Sequence, residues 1–104
     1  MHDETRNEQL RRSDIKTGCY YIGGKWARIR EVLVAHDWSV SWRDIDPETV
    51  EYIPFIGVKD GSCTPKTFAA WGKRKVEIEE VEARLAMPKA ERVKIMESIE
   101  GYFR

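Results

Sequence analysis

The chain has no net charge, eighteen lysines and arginines balancing eighteen aspartates and glutamates over 104 residues. That removes the simplest electrostatic case for nucleic-acid binding, which rests on an overall basic excess. No apolar run approaches the roughly 18 residues that a membrane-crossing helix needs. The opening Met-His-Asp-Glu-Thr-Arg-Asn-Glu-Gln is too polar for the apolar stretch of a secretory signal, so a cytoplasmic protein without a membrane partner is expected. Cysteine is scarce: Cys19 and Cys63 stand alone in separate segments and read as small buried hydrophobes of a reducing compartment. Paired C-x-x-C or H-x-x-H spacings are missing, so zinc would have to be held by Cys19, Cys63, His36 and His2 scattered along the chain. No metal or other cofactor is expected.

Catalytic signatures are equally thin. His36 beside Asp37 could form a general base with its orienting carboxylate, and Cys19 or Cys63 could supply a nucleophile if folding brought one near. A polar turn tip and two buried thiols is the plainer account of the same residues, and the chain is expected not to be an enzyme. Gly23-Gly24-Lys25 lacks the spacing and the following helix of a phosphate loop.

What the chain does have is alternation. Trp26 to Leu33 and Trp38 to Ile45 form two runs around a short polar-tipped connection, the pattern of a β-hairpin. On the second run Trp38, Val40 and Trp42 share one face, which is expected inward. On the first, Ala27, Ile29 and Leu33 are cheaper to bury than Arg28 and Arg30 together. The faces align with Leu33 opposite Trp38, Ile29 opposite Trp42 and Ala27 opposite Asp44, which makes Val34 to Asp37 the loop. Trp26, Arg28, Arg30 and Arg43 then form the outward face and the leading binding candidate, because guanidinium groups pair with phosphate or carboxylate and a neighbouring aromatic can stack.

Around this hairpin the chain reads as one domain in three stretches. Residues 1–17 form a polar tail, frayed or at most a short surface helix. Residues 18–72 form a β unit. Cys19-Tyr20-Tyr21-Ile22 reads as a short strand ended by Gly23-Gly24, a turn pair; Asp46-Pro47-Glu48-Thr49 reads as a type I turn leading into a strand over 50–58; and Lys59-Asp60-Gly61-Ser62 reads as another tight turn. Residues 73–104 form a helical extension. Thr64-Pro65 marks a helix start, Gly72 separates a short segment carrying Phe68 and Trp71 from a longer helix over about 73–86, and Pro88 opens a last helix. Charge pairs Lys73/Glu77, Lys75/Glu79 and Glu80/Arg84 support the longer helix. Val93, Met96, Ile99 and Phe103 stripe the last one, a face suited to internal packing or to a homodimer.

The order Trp26-Ala27-Arg28-Ile29, turn, Val40-Ser41-Trp42-Arg43-Asp44, turn, Val50-Glu51-Tyr52-Ile53 resembles Tudor-type and other SH3-like small barrels. The resemblance covers about half the chain. It implies an α+β protein, a small antiparallel SH3-like barrel or bent sheet followed by two helices, used for binding rather than catalysis. It also makes Tyr20, Tyr21, Trp26 and Tyr52 candidates for an aromatic cage. The expected function is engagement of a nucleic acid or an acidic protein partner through the arginine and aromatic face, with Lys73, Arg74 and Lys75 as a secondary basic site. Two alternatives stay open: a small inhibitor or accessory protein that blocks a larger complex, and a helix-turn-helix DNA-binding protein whose recognition segment is Ser62 to Trp71.

Overall fold

The computed structural model describes residues 10–24, 26–52 and 57–97. Five strands, β1 (Tyr20–Gly23), β2 (Arg28–Ala35), β3 (Val40–Asp44), β4 (Asp60–Cys63) and β5 (Gly72–Val76), form one antiparallel sheet in the order β4-β3-β2-β1-β5. Helices α1 (Pro47–Tyr52), α2 (Pro65–Trp71), α3 (Ile78–Leu85) and α4 (Lys89–Met96) and a 3-10 turn at Arg12–Asp14 complete the chain. The class is α+β, as the turn-rich sequence implies. Among the described residues the sheet stays open, with β4 and β5 as its two edges.

Both faces of this sheet are covered. Tyr21, Val32, Val40 and Trp42 face one side, where Leu10 and Ile15 from the amino-terminal segment and Phe68 and Ala69 of α2 pack. Ile22, Ile29 and Val76 face the other, together with Ala27 and Val81 of α3. A third, small cluster joins Val50 of α1 to Met96 of α4, with Trp26 and Val93 against it.

Several local readings hold. Thr64 caps α2, its Oγ1 accepting from the Thr67 amide at 3.1 Å, with Pro65 in the first turn. Gly24 sits at φ +74°, and a Cβ on Gly23 would collide with the Trp71 carbonyl, so the Gly-Gly pair serves both the turn and the close approach of α2's last turn. Val40 and Trp42 are buried. Within the carboxyl-terminal stripe, Met96 is buried and Val93 half-buried inside one chain, while Ile99 and Phe103 lie outside the described residues.

Other readings are overturned. Asp46-Pro47-Glu48-Thr49 opens a helix, not a turn into a strand: Asp46 Oδ1 accepts from the Thr49 amide at 3.3 Å, as an N-cap does with proline following it. The expected strand over 50–58 is therefore helical through Tyr52, and its residues 53–56 lie outside the described ones. Asp60-Gly61 is strand rather than turn, paired to β3 with Gly61 opposite Trp42, whose indole would crowd any Cβ there. Lys73-Arg74-Lys75 is also strand. Its partner is β1, and Arg74 reaches Glu80 at 2.7 Å in place of the expected helical pairing across Lys73 and Glu77. The amino-terminal segment from residue 10 is anchored, with Leu10 and Ile15 buried.

The hairpin register differs most. Arg30 lies opposite Asp44, Val32 opposite Trp42 and Ala35 opposite Val40, with a bulge between Val32 and Val34. The loop is His36 to Ser39, closed by the His36 amide donating to the Ser39 carbonyl at 2.8 Å, and Trp38 at its tip is 72% exposed. Trp42 faces Val32 instead of Ile29, an odd shift that exchanges the two faces of β2 and turns Arg28 and Arg30 toward Trp42. The expectation assumed a single buried face. Since both faces are covered, Ile29 packs with Ile22 and Val81 on the far side, and the arginines are accommodated by partners on the near one.

Trp42→Ala should cost about 3–5 kcal/mol, as loss of a large buried aromatic usually does, whereas Trp38→Ala should stay within about 0.5 kcal/mol. Urea denaturation of the two variants checks this; equal costs would contradict the register.

Candidate functional site

The four residues of the leading candidate are not brought together. Arg28 is buried, its Nε donating to Asp44 Oδ2 at 2.9 Å with side-chain exposures of 4% and 0%, and its Nη2 donates to the Val58 carbonyl. Asp44 also accepts from the Asp46 amide at 2.8 Å, and burial pushes its carboxyl above the ordinary value against the pull of Arg28. Arg30 lies between two indoles, its guanidinium carbon 3.6 Å from the Trp42 ring centre and 4.0 Å from that of Trp71. Its Nε has no hydrogen-bond partner among the described residues, and burial, followed by the nearby Arg28 charge, draws its pKa down to about 10. A planar, weakly hydrated cation suits such a stack. Arg43 is on the opposite face, paired with Glu31 at 3.0 Å, and Trp26 packs beside Val50 and Met96.

The aromatic cage does not assemble either. Tyr20 and Tyr21 are adjacent on a strand and point to opposite faces; Tyr21 is buried, and the Tyr52 side chain lies outside the described residues. Cys19 and Cys63 are free thiols that pack against one core cluster, and burial raises the Cys63 thiol, away from nucleophile behaviour at neutral pH. His36 stacks on Trp38. No group of three metal-ligating side chains occurs among the described residues, and His2 and Lys25 lie outside them. The element before α2 is a strand, so Ser62 to Trp71 is not the second half of a helix-turn-helix.

The fold gathers a different cluster. Residues 10–24 and 64–76 carry seven basic residues and one acidic, Asp14. These segments meet on one side of the molecule, where the 3-10 turn and α2 cover the Tyr21 face and β5 runs along the edge beside β1. Lys16, Lys73, Arg74 and Lys75 line one cleft of about 350 Å³ together with Ser13 and Asp14. Lys75 pairs with Tyr21 across the strands. Tyr21 in turn fixes Lys16, its hydroxyl accepting from the Lys16 amide at 2.8 Å and donating to the Asp14 carbonyl at 2.6 Å. Residues 44–51 and 77–82, by contrast, carry eight acidic residues and no basic one, and α3 lies on the opposite face of the sheet.

The secondary candidates Lys73, Arg74 and Lys75 thus share a cleft with Lys16, which sequence reasoning missed, and Arg12 lines the neighbouring cleft that Lys16 also borders. Three cations within residues 11–16 were the available signal, but Asp3, Glu4 and Glu8 in the same tail balance them in any count over residues 1–17. No protein-family model, curated protein or solved structure matches the chain.

Asp44→Leu should destabilise by about 3–5 kcal/mol because it strands the Arg28 charge, while adding Arg28→Met to it should recover much of that loss. Additive losses in that double-mutant cycle would show that the pair does not act as a unit. Burial also raises the Tyr21 hydroxyl to about 12. The stability this contributes is fully present below the ordinary tyrosine value of about 10 and is lost as pH rises through about 12. Tyr21→Phe should therefore flatten the alkaline fall in unfolding free energy; an unchanged slope would remove Tyr21 as its source.

Proposed function

We propose that this protein is a small non-enzymatic binding module that holds nucleic acid by its phosphate backbone on the basic surface formed by the 3-10 turn, α2 and β5. One observation carries the reading: among the described residues, the segments that meet on one side hold seven cations and one carboxylate, and Arg74 of the seven is drawn to a glutamate of α3. A local field of that kind attracts polyanions even when the whole molecule is neutral, since screening confines the opposing charges to about 10 Å at ordinary ionic strength. Lysines here suit sequence-independent phosphate contact, which fixes position without reading bases. A Tudor-type or SH3-like affiliation of the β unit belongs to the same proposal. Its support is the antiparallel meander from β1 through β4, not barrel closure.

Anisotropy titrations of a labelled oligonucleotide over a range of salt test this. Log affinity should fall linearly with log salt, and each of Lys16→Ala, Lys73→Ala and Lys75→Ala should lower the slope by about one, with Arg43→Ala neutral. Unchanged slopes in all three lysine variants, or binding indifferent to salt, would defeat the proposal.

A further inference from the structure

Trp38 and its surroundings point to a more specific ligand. The indole stands at the tip of the β2–β3 hairpin, 72% exposed, yet it is ordered by a parallel stack on His36, with ring centres 4.8 Å apart and planes 5° from parallel. His36 also lines a cleft of about 540 Å³ whose other wall is the 3-10 turn and the residues after it, including Arg12, Lys16 and Thr17. The two walls are tied together: the Ala35 amide donates to Thr17 Oγ1 at 2.9 Å, and the Gly18 amide donates to the Val32 carbonyl at 2.7 Å. Lys16 lines both this cleft and the one beside β5, which links the basic residues of β5 to the cleft that His36 borders.

We infer that the hairpin tip is a stacking platform for single-stranded nucleic acid, one base lying on Trp38 while the adjoining backbone crosses the cleft onto Arg12 and Lys16. The inference rests on the phosphate-binding reading above and narrows it. A duplex keeps its base faces stacked on one another, so a planar ring presented face-on gains nothing from it, whereas an unstacked base offers a π-face to any aromatic. Asp37, beside the ring and lining the same cleft, repels phosphate at the tip and directs the backbone toward the cations on the opposite wall.

The probes are a labelled oligothymidylate of about twelve nucleotides, within the span that small single-strand sites occupy, and a duplex of the same length, each titrated against the full chain. The single strand should bind about tenfold or more tightly than the duplex. Trp38→Ala should weaken single-strand binding about ten- to a hundredfold, the range that loss of one stacked base gives. It should leave duplex binding and the unfolding midpoint unchanged, and Trp38→Phe should restore most of the loss. If Trp38→Ala binds the single strand as the parent does, no base lies on the ring and the inference fails. Equal affinity for duplex and single strand overturns it as well, while the phosphate-binding reading survives if the lysine variants still lower the salt slope. Binding of neither probe overturns both.

Discussion

The Arg28–Asp44 ion pair is the constraint on which the rest of the architecture depends. Two charges withdrawn from water are tolerable only when their remaining hydrogen-bonding capacity is met, and here each partner recruits a different part of the chain. Arg28 reaches the Val58 carbonyl, fixing the segment that leads into β4, and Asp44 takes the Asp46 amide, fixing the entry to α1. Asp46 then caps α1 and accepts from Arg92 of α4 at 2.7 Å. A linked set of charges therefore sets where β2 and β3 pair, where α1 starts and where α4 docks. The register follows from it, since a hairpin slid by one residue would leave Arg28 and Asp44 on opposite faces of the sheet.

Charge is used twice in this molecule, and the two uses do not share residues. The arginines of the hairpin serve the interior, through Asp44 for Arg28 and through two indoles for Arg30, and the outermost, Arg43, is paired to Glu31. The cations on the surface come from elements far apart in sequence that the sheet order draws together, because β5 returns to lie beside β1. Among the described residues, a composition that is electrostatically neutral thus leaves cations of separate segments beside one another.

Punctuation was legible in the sequence, and the use of charge was not. Thr64-Pro65, Gly23-Gly24 and Pro88 each act through a local backbone requirement that needs no knowledge of the rest of the fold, and each appears where it was read. Asp46-Pro47-Glu48-Thr49 is ambiguous by nature: aspartate followed by proline starts a turn and a helix equally well, and the decision lies with Val50 finding Met96. Lys73-Arg74-Lys75 looked helical because glutamates follow at helical spacing, but the open side of β1 gave those residues a ladder to join. Alternation alone places Trp38 in the core, because it reports a shared face but not where the strand ends, and the tip of the hairpin leaves the ring exposed. The arginine face escapes a reading of the sequence for a deeper reason. Burying Arg28 is costly until Asp44 is opposite Arg30 and within its reach, and that coincidence is tertiary information.

Ala27 holds a left-handed backbone, φ +53°, in the connection between β1 and β2, a conformation unfavourable for a residue with a side chain. Its carbonyl accepts from Arg84 Nη1 at 3.2 Å, a partner 57 residues later in α3. During synthesis, then, the first hairpin emerges before the Arg84 clamp on its bend exists. Ribosomes add about 5–20 residues per second, so several seconds separate the appearance of the bend from the arrival of its clamp. A nascent chain in that interval has β2 without the helix that covers Ile29 and without the strand that covers the edge of β1. The interval in which that strand edge stands open to a neighbouring chain lengthens with the sequence distance between β1 and the residues that cover it.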